Sequence, residues 1–100
     1  MKLDSQLSRG VVLYLGFGER SAPRPDPQRV VAEFGSQRGE ELVTTIMALV
    51  AEVEAAPVDW ASETLSSATV VARDRMHRAH PELADDAVQA LGWIFSWTWR

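Results

Sequence analysis

The sequence predicts an all-α fold, a compact bundle of four to five helices without significant β-sheet. Three observations carry that prediction. Apolar residues recur at spacings of three and four along most of the chain. Prolines and glycines cut these periodic stretches into lengths that suit helices of a small protein. The links left between them are short, which favours neighbours packed roughly antiparallel. One hundred residues, 46% of them apolar and 24% charged, are expected to make one helical domain, residues 1–100, with a single core.

In the first segment Leu3, Leu7, Val11 and Leu15 recur every four residues, with Val12 and Tyr14 beside them. Asp4 or Ser5 is placed to cap its start by accepting from a free backbone N–H. Gly16 and Gly18 supply the left-handed backbone that ends a helix. The β-branched valines of VVLYL, residues 11–15, leave an edge strand as the alternative. A Pro-rich loop follows at about 18–26, held extended by Pro23 and Pro25. Asp26-Pro27 then reads as N-cap and first helical residue of a short helix carrying Val30, Val31 and Phe34 as far as Gly35.

Ser36 opens the clearest helix, through about Ala55, with Leu42, Ile46, Leu49, Val50 and Val53 on one face. Pro57 stops it. Asp59 is the expected cap of the next helix, ahead of Trp60, and Leu65, Ala68, Ala72 and Met76 keep helical spacing to about residue 79. Pro81 ends that segment. Glu82, Asp85 and Asp86 then place acids where the positive end of a helix dipole favours them, and the last helix runs from Ala87 to Trp99.

The glycines after VVLYL invite a phosphate-binding reading. A dinucleotide loop needs G-x-G-x-x-G between a strand and a helix. Here Ser21 stands where the third glycine belongs, and a proline loop follows instead of a helix. A G-x-x-x-x-G-K loop is also missing, because the only lysine is Lys2. Gly16 is therefore read as a helix stop.

Charge and composition narrow the function classes. The net charge of −4 disfavours broad attraction to nucleic acid or anionic lipid and suits a basic target. There is no cysteine, which removes thiol nucleophiles, disulfides and cysteine zinc sites, and fits a cytoplasmic location. MKLDSQLSRG does not read as a secretory signal, and no apolar run is long enough for a membrane span. Nine of the ten basic residues are arginine and alanine is abundant, the usage of a GC-rich genome, so a bacterial source is expected.

The densest polar stretch is RDRMHRAHPELADD, residues 73–86. His77 and His80, three apart, with Glu82 and Asp85 beyond them, form a candidate metal set of imidazole and carboxylate. The spacing matches no established metal motif. The competing reading is structural: cations at a helix C-terminus and acids at the next N-terminus each offset a helix dipole. Arg73, Arg75 and Arg78 raise the further possibility of a small nucleic-acid-associated regulator, but they are few and interspersed with acids. No nucleophile elbow is present and the carboxylates fall at helix ends, so catalysis, a cofactor and a small-molecule substrate are not expected.

The tail LGWIFSWTWR holds three of the four tryptophans. On a helix Trp93 and Trp97 share one side while Leu91, Phe95 and Thr98 turn to another. A helix apolar around most of its circumference is normally enclosed by protein. Either it is a central element packed on Trp60 and the long middle helix, or one side stays exposed as a contact surface. Each large aromatic buries about 150–250 Å², so at about 25 cal/mol per Å² two left in water forfeit several kcal/mol. The expected function is protein–protein contact by a small acidic helical protein, as adaptor, inhibitor, antitoxin or immunity-type protein or as a homodimer. The contact residues are Trp93, Trp97 and Trp99, with Trp60 in support.

Overall fold

The computed structural model describes residues 2–99. Five helices occupy the chain in order: α1 (Ser5–Leu15), α2 (Pro27–Phe34), α3 (Ser36–Glu54), α4 (Leu65–Ala79) and α5 (Asp85–Thr98). Among the described residues there is no strand, and VVLYL is the second half of α1. The predicted all-α bundle is what the chain forms. Its principal extents are 45 × 31 × 20 Å, with a radius of gyration of 13.3 Å.

The helix starts follow from local chemistry. The Asp4 carboxylate accepts from the Leu7 N–H at 3.0 Å, and the Asp26 carboxylate accepts from Gln28 at 3.1 Å with Pro27 in the first turn. α2 and α3 are divided by Gly35 alone, whose φ of 87° and ψ of 166° lie where only glycine is unstrained. The two helices then approach so closely at Gly39 that a Cβ there would stand 2.6 Å from the Val31 Cα.

The start of α4 differs from expectation. Asp59 does not cap it. Its carboxylate accepts from the Ala61 N–H and the Ser62 hydroxyl and closes one isolated turn. The cap is Thr64, which accepts from the Ser67 N–H while the Ser67 hydroxyl accepts from the Thr64 N–H. This reciprocal pair satisfies two orphan donors at once, more than Asp59 offers. Trp60 therefore lies in a connection, not in a helix.

One cluster of buried side chains draws on all five helices: Leu7, Val11 and Leu15 from α1, Val30 from α2, Leu42, Ile46, Leu49 and Val53 from α3, Ala72 and Met76 from α4, and Leu91, Ile94 and Phe95 from α5. Val50 of the predicted α3 face is only half-buried. α5 has no capping side chain of its own; the buried Ser8 hydroxyl of α1 accepts from the Ala84 N–H at 2.9 Å, and Glu82 O accepts from the Asp4 N–H at 2.8 Å. The starts of α1 and α5 are thus fixed together. Further along, Phe17 meets Trp93 with ring centroids 5.5 Å apart, so the two helices run side by side in the same direction. α4 returns antiparallel to α5, with the Arg73 stem laid across Gly92 near the middle of both helices and His77 beside Asp85 and Val88 nearer the link between them.

Candidate functional site: the tryptophan end

α5 divides by depth. Leu91 and Phe95 are wholly buried and Ile94 nearly so, giving the helix its core side. Trp93 is half-buried at the edge of that core, against Phe17. The last turn differs. Trp97 is 39% exposed and Trp99 is 45% exposed, while Trp60 in the preceding connection is 44% exposed. The Trp60 and Trp99 rings meet at 5.9 Å, inclined by 45°, and Trp99 also lies 6.5 Å from Phe95. Three indoles are therefore partly exposed at or beside the end of α5, and one of them, Trp99, rests on the buried Phe95.

The same end gathers carboxylates. The Thr98 hydroxyl donates to Glu54 at 2.7 Å, bringing the end of α3 beside the end of α5. Asp59 immediately precedes Trp60, and the Glu63 N–H donates to the Asp59 carbonyl at 2.9 Å, which folds Glu63 back onto that turn. Ala56, Val58, Asp59, Glu63 and Val71 border a small cavity of about 50 Å³ between this connection and α4. Glu54 also acts on Tyr14, whose pKa is raised above 10.0, first by burial and second by the Glu54 charge.

The residues of the candidate metal set are not brought together. His77 lines an open groove of about 330 Å³ with Arg73, Asp74, Asp85, Val88 and Gln89. His80 turns elsewhere. The Glu52 carboxylate accepts from its Nε2, at 2.9 and 3.0 Å, and its Nδ1 lies 3.6 Å from Glu82. Both ring nitrogens thus face carboxylates, in the positions a metal would need. Among the described residues no group of three or more His, Asp or Glu side chains is arranged to hold a metal ion. The basic segment is also broken up, since Arg73 lies along α5 while Arg75 and Arg78 remain exposed. Nor is any helix among the described residues long and apolar enough to cross a membrane.

Sequence periodicity singles out neither Phe17 nor Glu54. Phe17 sits past the glycine that ends α1, outside any helical face. Glu54 is one of four glutamates along α3, with Glu40, Glu41 and Glu52. The signal that finds it is charge segregation: no lysine or arginine falls between Arg38 and Arg73, while Glu40, Glu41, Glu52, Glu54, Asp59 and Glu63 all do.

No protein-family model matches the chain, and neither a curated protein nor a solved structure does.

Proposed function

We propose that this chain is a non-catalytic binding protein that works by contact with another protein, in an adaptor, inhibitor, antitoxin or immunity-type role. The observation that supports this is the exposure of Trp60, Trp97 and Trp99 at one end of the molecule. Covering what they expose withdraws on the order of 200–300 Å² from water, about 5–7 kcal/mol before the costs of association. Tryptophan is also the residue type most enriched where binding energy concentrates. Trp93 has a different part. Set between Phe17 and the core, it fixes the helix from which Trp97 and Trp99 project.

The test is a photoreactive benzophenone side chain placed at position 60 or 99 and expressed in the source cell. A covalent adduct with a discrete protein is expected at both positions. Position 33, exposed on α2 at a distance from α5, is the control. Irradiation that yields nothing at 60 and 99 beyond the control overturns the reading. An adduct with a second copy of the chain identifies the contact as self-association.

A further inference from the structure

We infer that the tryptophan end takes a basic segment of a partner protein, with an arginine side chain laid on the Trp60–Trp99 pair and Glu54, Asp59 and Glu63 supplying the countercharge. This rests on the reading of that end as a contact surface and names the chemistry of its occupant.

Three observations select a cation. The first is the aromatic pair. Two indole rings meet at 5.9 Å at a helix end, each more than two-fifths exposed. A guanidinium is attracted to the faces of such rings electrostatically and stacks on them flat. The second is the placement of the carboxylates. Glu54 is tied to Thr98, the residue before Trp99; Asp59 is the residue before Trp60; and Glu63 is folded back onto the Asp59 turn. Acids therefore adjoin both indoles along the chain, with the Glu63 carboxylate, three residues past Trp60, accepting from the Ser67 hydroxyl.

The third observation is that these acids are not neutralised from within. The ion pairs among the described residues join Arg20 to Asp26, Arg29 to Glu19 and Arg38 to Glu41, and the His80 imidazole lies beside Glu52 and Glu82. None reaches Glu54, Asp59 or Glu63. The segment that carries Trp60 and these three acids supplies no countercharge either, since no lysine or arginine falls between Arg38 and Arg73.

The same charges argue against a second copy of the chain as occupant. A two-fold contact sets the same patch against itself, so these acids would face their own counterparts. Like charges opposed across an interface disfavour that pairing. A segment rich in arginine meets both requirements, the rings through its guanidinium planes and the rim through its charge.

The experiment uses the full chain and a pair of synthetic amphipathic helical peptides. They share leucine positions and carry either arginine or glutamate at the polar ones. Binding is followed by tryptophan emission and by calorimetry. The arginine peptide is expected to bind, several-fold more weakly at high salt because the rim is exposed and screened. The glutamate peptide is expected not to bind. Glu54→Gln with Glu63→Gln should weaken binding by about three- to tenfold, since glutamine keeps the hydrogen bonds and removes the charges. Trp60→Ala with Trp99→Ala should weaken it by about tenfold or more. Far-ultraviolet circular dichroism confirms that each variant is folded.

Equal binding of the two peptides, no binding of the arginine peptide, or full affinity in the Glu54→Gln, Glu63→Gln variant overturns the basic-segment inference. The contact reading survives those results if the photoreactive side chains still report a partner. If both peptide binding and those adducts are absent, both readings fail together.

Discussion

Residues 16–26 and 55–64 are connections of similar length, each with proline and one large aromatic residue, and they are built to opposite ends. The first is fastened to the bundle. The N–H groups of Arg24 and Asp26 donate to the Leu15 and Tyr14 carbonyls at 3.1 and 2.9 Å, satisfying acceptors that the end of α1 leaves open. Arg29 pairs with Glu19, Arg20 lies 3.9 Å from Asp26, and Phe17 packs on Trp93. The second connection bonds mainly to itself, through Asp59 to Ala61, Ser62 and Glu63. Its aromatic residue stands at the surface and its acids have no internal cation. The first connection spends its charges on pairs within the chain, and the second does not. The lesson is that the glycine and proline loop, which looks like chemistry in the sequence, is architecture, and the plainer connection carries the surface for which we propose a function.

The widest separation between architecture and surface is expected within the aromatic residues that meet at Trp99. Phe95→Ala removes a side chain with no exposure from the centre of the core, and should lower stability by about 3–5 kcal/mol in urea unfolding. Trp60→Ala takes away a larger ring but one already 44% exposed, and should cost markedly less stability than Phe95→Ala while weakening the peptide binding described above. Comparable losses in the two variants would mean that Trp60 is a core residue and that the second connection is as structural as the first.

Next in size is the hinge of the first connection. Gly16 has a φ of 78°, and a side chain there would also meet the aliphatic part of Arg20. Gly16→Ala should cost about 1–2 kcal/mol from backbone strain alone, more if Arg20 cannot move. Gly18, with a φ of 86° and open space around it, should show the backbone share without the collision. The difference between the two alanine variants measures how tightly Arg20 is held across the loop.

What could be read in the sequence follows the same division. The Asp4 and Asp26 caps, the stop at Gly16 and the face of Leu42, Ile46, Leu49 and Val53 are local signals, decided by chemistry within one turn or one helix. They could be read directly. Asp59 was misleading because an aspartate can close an isolated turn as well as cap a helix, and the Thr64–Ser67 pair five residues on competes for the same start. His77 and His80 share a stretch of chain but not a neighbourhood: α5 occupies one side of α4 and Glu52 of α3 reaches the other. The tryptophan end was half legible. Its composition is plain, but which rings remain in water depends on Thr98 meeting Glu54 and Trp99 meeting Trp60, contacts between segments dozens of residues apart.

The two aspartates sharpen the comparison further. Asp26→Ala removes a cap that starts α2 and an acid near Arg20, and should cost about 1 kcal/mol. Asp59→Ala opens a turn that starts no helix and should stay within about 0.5 kcal/mol. Paired thermal melts would resolve the order, and a larger loss at Asp59 would show that its turn supports α4 after all.

The smallest effect links the two regions through Tyr14 and Glu54. Tyr14 is the only tyrosine, so its ionisation can be followed by phenolate absorbance as the protein is titrated into alkali. Its midpoint should lie above the ordinary value of 10.0, because burial at the end of α1 disfavours the phenolate and the Glu54 carboxylate adds repulsion. The consequence for stability has a definite sign. The unfolded phenol ionises first, so this contribution is complete below about pH 10 and is lost as pH rises through the elevated folded value. Glu54→Gln keeps an acceptor for Thr98 and deletes the charge. The midpoint should then fall only part of the way, since burial is the larger cause. A return to the value of free tyrosine would mean that Glu54, on the exposed side of the comparison, sets the titration, and that the end of α1 is wetter than its packing implies.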